Sequence, residues 1–144
     1  MNGIIGFILS LLLTLLNQFN LSLETAFLQN DPAKLYQLMP VNSPILITLP
    51  EPFQVSDFFS KEQAFLIAKR LFRQISTLEF FIDQENPPAI DAKGALVQAR
   101  WSVIDNRDGR KYLFRVYFYL FSEKVSDQSY KARLKIREIR AEKR

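Results

Sequence analysis

The hydrophobic and polar positions of this chain change period twice. Residues 3–16, GIIGFILSLLLTLL, are apolar throughout, with Ser10 and Thr14 as mild breaks. From residue 22 the apolar positions recur at helical spacing. From Thr77 onward they alternate one in, one out, which is the period of a half-buried strand.

Within the helical part, residues 22–29, SLETAFLQ, read as a short helix with Ser22 as cap and Leu23, Ala26 and Phe27 on one side. Asn30-Asp31-Pro32 breaks it. Asp31 is a good N-cap and Pro32 a good first helical residue, so a second helix is predicted over 32–39 with Leu35, Leu38 and Met39 inward. Pro40 stops it. Pro44 and Pro50 bracket a short strand over 45–49, ILITL, and 51–57 reads as a loop leading to the next cap. The segment 59–75, FSKEQAFLIAKRLFRQI, is the longest soluble helix. Ser60 and Gln63 make a capping box, and Ala64, Ala68, Leu71, Phe72 and Ile75 form one apolar stripe, with Lys69, Arg70 and Arg73 free to reach water. This helix is expected to be the bar against which a sheet curls.

Four strands are predicted after it. Leu78, Phe80 and Ile82 alternate with Glu79, Phe81 and Asp83, and Asn86-Pro87-Pro88 closes that strand. After a turn at 91–94, Ala95, Val97, Ala99, Trp101 and Val103 alternate with Gln98, Arg100 and Ser102. Residues 105–109, DNRDG, are a hairpin loop. In the next strand Tyr112, Phe114, Val116, Phe118 and Leu120 share one face, and Leu113, Arg115, Tyr117, Tyr119 and Phe121 the other. After a turn at 126–129, Tyr130, Ala132, Leu134 and Ile136 alternate with Lys131, Arg133, Lys135 and Arg137. The pattern slips at Glu138-Ile139, where a bulge or strand end is expected, and 140–144 reads as a charged tail. Helices followed by a run of strands give an α+β class, in the order α-α-β-α-β-β-β-β.

Composition narrows the chemistry. The 144 residues include no cysteine and no histidine. That excludes disulfides, a cysteine nucleophile, a lipidated N-terminal cysteine, a Ser-His-Asp triad and the usual zinc sites. No catalytic constellation and no metal site is found, no cofactor is implied, and a non-enzymatic role is expected. Residues 1–94 carry 6 basic against 9 acidic side chains, and residues 95–144 carry 13 against 6. The second half is thus the basic one and invites an anionic partner; the alternative is a solvated face whose Lys and Arg guard the sheet against aggregation.

The apolar opening is short for a membrane-crossing helix, which needs about 20 residues, and suits the h-region of an export signal. No basic residue precedes it and no small-residue cleavage site follows. Residues 1–21 are therefore expected to be either a signal peptide, cut between about 17 and 25, or an N-terminal membrane anchor; a third reading makes them the first turns of a buried helix. Residues 22–144 form a single α+β domain, placed by that signal in the periplasm, the cell envelope or outside the cell. Membrane contact is expected only through the N-terminal segment, if uncleaved.

Two stretches carry a resemblance. AFLQNDPAKLYQLM resembles the opening of the nuclear-transport-factor-2-like superfamily, where a helix, a polar break and a second short helix precede the first strand. FSKEQAFLIAKRLF is similar, at Phe59, Ser60, Lys61, Gln63, Ala64 and Phe72, to a motif of the exported bacterial family "domain of unknown function 4783" within that superfamily, and RKYLFRVYFYL followed by KARLKIREI resembles its last two strands. The resemblance covers residues 22–139. It implies a cystatin-like cone, with helices packed on a curved antiparallel sheet that often encloses an apolar pocket. Enzymatic members of the superfamily use Asp, His and Tyr inside the cone; with no His here, no catalytic residue carries across, and Asp57 and Asp83 fall near loop or strand ends.

Three binding readings follow. The outer sheet face, with Arg100, Arg115, Tyr117, Tyr119, Lys131, Arg133, Lys135 and Arg137, has the Tyr and Arg enrichment of interface hot spots and suits a homodimer or an unnamed protein partner. The alternative is an ordinary exposed face whose Tyr–Arg cross-strand pairs add local stability. Small residues at Ala95, Val97 and Ala99 leave room inside the cone beside Trp101, Tyr36 and Tyr112 for a small apolar ligand, unless phenylalanines fill it. Alternating Lys131, Arg133, Lys135 and Arg137, about 7 Å apart, would present a basic row to an anionic polymer or membrane surface. No nucleic-acid motif is present, which ranks nucleic acid last among partners.

Overall fold

The computed structural model describes residues 2–83, 89–91, 94–124 and 132–144. Asn86-Pro87-Pro88, the turn at 126–129, Tyr130 and Lys131 lie outside the described residues. Helices α1 (Asn2–Leu28) and α2 (Pro32–Gln37) precede strands β1 (Ile45–Leu49) and β2 (Val55–Phe59). Helix α3 (Lys61–Gln74) follows, then strands β3 (Ile75–Ile82), β4 (Ala89–Asp91), β5 (Gly94–Asp105), β6 (Lys111–Lys124) and β7 (Ala132–Lys143). The strands form one sheet in the order β2-β1-β7-β6-β5-β3, with β4 paired to the start of β5. The α+β cone is as the sequence implies, with the helices on the inner face of the curved sheet.

Several elements differ from the sequence reading, each for a local reason. The helix opening at Ser22 has no break before it and runs back to Asn2. The loop read over 51–57 contains β2. Gln54 turns in the left-handed region (φ 51°) and the chain returns along β1. As the edge strand, β2 buries only Val55, so it lacks the alternation that marks an inner strand. The short β4 adds a second unexpected strand. The sheet is not wholly antiparallel, because β1 lies parallel to β7. Leu78 does not share a face with Phe80; it is the extra residue of a bulge between Thr77 and Glu79 and stays exposed. At the start of β5 only glycine fits, since a Cβ at Gly94 would overlap the Leu120 carbonyl.

Two of the three caps form as read, at Asp31 and Ser60, while Ser22 lies inside α1. Asp31 accepts from the Ala33 and Lys34 amides, and the Ser60–Gln63 capping box is closed on both sides. The inner faces of β5 and β6 are also as read: Val97, Ala99, Trp101 and Val103 face Phe114, Val116, Phe118 and Leu120, all buried. The role given to α3 alone is shared. Ala64, Ala68, Leu71 and Phe72 of α3 are buried, but the ring at the centre is Phe27 of α1. It stacks on Phe80 (centroids 4.5 Å) and meets Trp101 (5.1 Å), Phe72 (5.6 Å) and Phe118 (5.7 Å) edge-on.

A polar knot ties the end of α1 to α3, β3 and β5. Trp101 Nε1 donates to Thr77 Oγ1 (3.0 Å), which donates to Asn30 Oδ1 (2.7 Å). Asn30 Nδ2 donates in turn to the carbonyls of Ile75 (2.8 Å) and Phe72 (3.1 Å) at the end of α3. Asn30 itself sits at φ 48°, a conformation Asn tolerates better than most residues. It therefore ends α1 and caps α3 at once.

In the β5–β6 hairpin, buried Asp105 accepts from the Arg107 amide (3.0 Å) and from its guanidinium at Nη2 (3.0 Å) and Nε (3.2 Å). The Arg107 side chain and amide hold the Asp105 carboxyl at about 2, below its ordinary 3.8. A depressed carboxyl stabilises the fold above its unfolded pKa and loses that contribution as pH falls through the folded value. The urea midpoint is therefore expected to fall as pH drops from 3.8 toward about 2, and Asp105→Asn to flatten that part of the profile; an unaltered acid limb in the variant refutes this. Phe27→Ala is expected to cost about 3–5 kcal/mol in chemical denaturation, against less than about 0.5 kcal/mol for the exposed Leu66→Ala.

Candidate binding face and interior of the cone

The outer face of the sheet is assembled from cross-strand rows, whose members share a face. One row runs Phe81–Arg100–Arg115–Glu142 across β3, β5, β6 and β7. The next runs Gln98–Tyr117–Arg140–Thr48, and the third Leu96–Tyr119–Glu138–Leu46–Phe58. Tyr117 and Tyr119 are half-buried because the Arg140 guanidinium lies over both rings, 4.9 and 5.9 Å from their centroids. Tyr117 Oη also lies 3.4 Å from Glu142, and Arg115 donates to Gln98 (3.3 Å). Apolar groups stay open around this centre: Phe58 is 62% exposed, Phe81 55% and Leu113 41%.

The sequence reading found Arg100, Arg115, Tyr117 and Tyr119 on this face and missed Arg140, Phe58 and Phe81. The sequence places Arg140 in a tail, but β7 continues to Lys143. Tyr119 pairs with Glu138 and Leu120 with Ile136, so Arg137 is the extra residue of a bulge, next to where the slip is expected. The bulge resets the alternation: Ile139 and Ala141 turn inward and Arg140 outward. The Ile139–Ala141 spacing was the available signal.

The basic row is not evenly presented. Arg133 and Arg137 are exposed, and Lys131 lies outside the described residues. Lys135 is only 8% exposed, and its Nζ donates to the Gln37 carbonyl at the end of α2 (2.7 Å). Burial, with Lys61 nearby, pushes the Lys135 ammonium below its ordinary value, opposed by Glu123. The Glu123 carboxylate, also buried, accepts from the Val41 amide (3.0 and 3.1 Å), and the Ile136 amide donates to the Leu38 carbonyl (2.8 Å). Lys135 thus clamps the α2–β1 connection and is not part of a free cationic surface.

Inside the cone, the six residues expected around a pocket do not converge. Val97, Ala99 and Trp101 are buried and face inward, with Ala95 half-buried. Tyr112 lies beside Phe114 (6.0 Å) under Lys143. Tyr36 sits between α2 and α3 against Phe65 (5.4 Å), with Lys61 over its ring (4.3 Å). A cavity of about 40 Å³ remains between α3 and the sheet, and of those six only Trp101 lines it. Its wall is apolar, including Phe27, Ala64, Ala68, Leu71 and Val116. That is room for two or three waters at most, far below the several hundred Å³ of a small-molecule site. Among the described residues no cluster of acidic side chains could hold a metal ion.

No family model matches this sequence, and no curated protein matches it. Solved structures match it in shape. A ketosteroid isomerase-like protein from Erwinia carotovora atroseptica aligns over 83% of this chain and 85% of its own, at 12% identity and a TM-score of 0.59. An NTF-2-like protein of unknown function from Silicibacter pomeroyi aligns over 92% and 95%, at 9% identity and 0.56. A protein of ketosteroid isomerase-like fold from Catenulispora acidiphila, in complex with trimethylamine, aligns over 83% and 79%, at 10% identity and 0.57. The chain therefore has the nuclear-transport-factor-2-like fold; the narrower likeness to domain of unknown function 4783 finds no matching family model.

Lys135→Ala removes the charged donor to the Gln37 carbonyl along with a buried side chain, and is expected to cost about 1–3 kcal/mol in urea unfolding, with exposed Arg133→Ala within about 0.5 kcal/mol. Equal costs for the two would reject the clamp.

Proposed function

We propose that this protein is a non-enzymatic binding domain that pairs through its outer sheet face with a second copy of itself or with another protein, in the cell envelope or outside the cell. The observation that carries this reading is the continuous face centred on Tyr117, Tyr119 and Arg140, flanked by the open rings of Phe58 and Phe81. Aromatic and Arg side chains are what interface cores enrich. The face also carries both charge signs, Arg100, Arg115 and Arg140 with Glu138 and Glu142, which a self-complementary two-fold contact can pair. The two open rings stand at the opposite edges of this face, on β2 and β3, and bracket its Tyr–Arg centre.

The apolar-ligand reading is weaker. The trimethylamine complex concerns a neighbour of the same fold, and the cavity here is about 40 Å³ with no charged group on its wall. The basic-strand reading loses Lys135 to the clamp. Sedimentation of the detergent-solubilised full chain is expected to give twice the 16.8 kDa monomer mass, and Tyr117→Ser with Tyr119→Ser to give the monomer with unchanged circular dichroism. A wild-type chain that stays monomeric at every concentration removes self-pairing, and a dimer indifferent to the two substitutions removes this face.

A further inference from the structure

Helix α1 is divided into two zones. Leu16, Phe19, Leu23, Ala26 and Phe27 are buried in the domain core. Ile4, Ile5, Phe7, Leu11 and Leu13 of the same helix are exposed, Phe7 to 70%. Ile5, Leu11 and Leu13 point in three different directions around the axis. A groove on another protein covers one stripe of a helix; an apolar surface on all sides is matched by lipid. Other features fit the same solvent. No charged residue precedes Glu24. The Thr14 hydroxyl donates to the Ser10 carbonyl (3.0 Å), so it takes no unmet donor into hydrocarbon. Exposed Asn17 and Gln18 mark where the apolar zone ends.

The direction of exit also follows. Phe27 packs on Phe80 while Asn30 bonds to the Ile75 carbonyl, so α1 runs antiparallel to β3. Its exposed zone leads past the Ile82 end of the sheet, where β5 begins, β6 ends at Lys124 and β7 begins. Lys124 and Arg133 are exposed at that end, where anionic headgroups would meet them.

We propose that residues 3–16 are retained in the working protein and inserted in a lipid bilayer, so that α1 is at once membrane anchor and core helix. A cut within 17–25 would remove Leu16, and later cuts Phe19 and Leu23, from the core. The apolar zone of about 21 Å is shorter than a ~30 Å hydrocarbon layer, so the bilayer thins locally to let the polar N-terminal end of α1 reach the far headgroups. This inference rests on α1 and not on the sheet-face reading.

Two measurements test it. The intact mass of the protein recovered from expressing cells is expected to include residues 3–16; a product beginning within 17–25 overturns the proposal. The purified full chain, mixed with vesicles of phosphatidylethanolamine and phosphatidylglycerol, is expected to float with them and to remain bound in high salt. Ile5→Lys with Phe7→Lys, both at exposed positions, is expected to lower the floating fraction at least ~10-fold with unchanged thermal unfolding. A wild-type chain left at the bottom of the gradient overturns the proposal. So does a lipid-free oligomer that the double variant dissolves while vesicle binding is unaffected, since a second copy then covers this zone.

Discussion

The contact on which the rest of the structure depends is the seating of the Phe27 ring among Phe72, Phe80, Trp101 and Phe118. Those four rings come from α3, β3, β5 and β6, so one side chain of α1 closes the space that a strongly curved sheet would otherwise leave open. Aromatic rings suit this position because edge-on and offset contacts can be satisfied on several sides at once. The Asn30 knot three residues later fixes the depth and rotation of that helix through hydrogen bonds to the last turn of α3 and to Thr77.

Filling the cone in this way leaves little room inside it, a cavity of about 40 Å³. In a fold that serves both catalysts and plain binding modules, the interior of this chain is occupied by its own phenylalanines. The same fold presents a second surface, the back of the sheet, and here polar–aromatic rows have been left open on it.

Much of the fold was legible because strong local signals agreed with one another. The Ser60–Gln63 box, the Asp31-Pro32 start and the alternation through β5 and β6 each have a single reading. What escaped the sequence was set by tertiary context. Strand β2 buries only Val55, so its inner face imposes no alternation; the bulges at Leu78 and Arg137 shift period without leaving a Gly or Pro; and nothing in an alternating Lys–Arg row says which member will be drawn to a helix end. The candidate face was half visible: its tyrosines follow from parity within β6, but Phe58, Phe81 and Arg140 join it only through register between strands distant in sequence.

The Trp101 indole is bonded to Thr77 at the meeting point of α1, α3 and the sheet, and it is the chain's single tryptophan. Its emission is therefore a one-site optical gauge of whether that junction is closed and dry. Tyr117 and Tyr119, by contrast, report from the opposite side of the sheet. The two chromophores thus let the interior and the exterior of the same molecule be watched separately during unfolding or association.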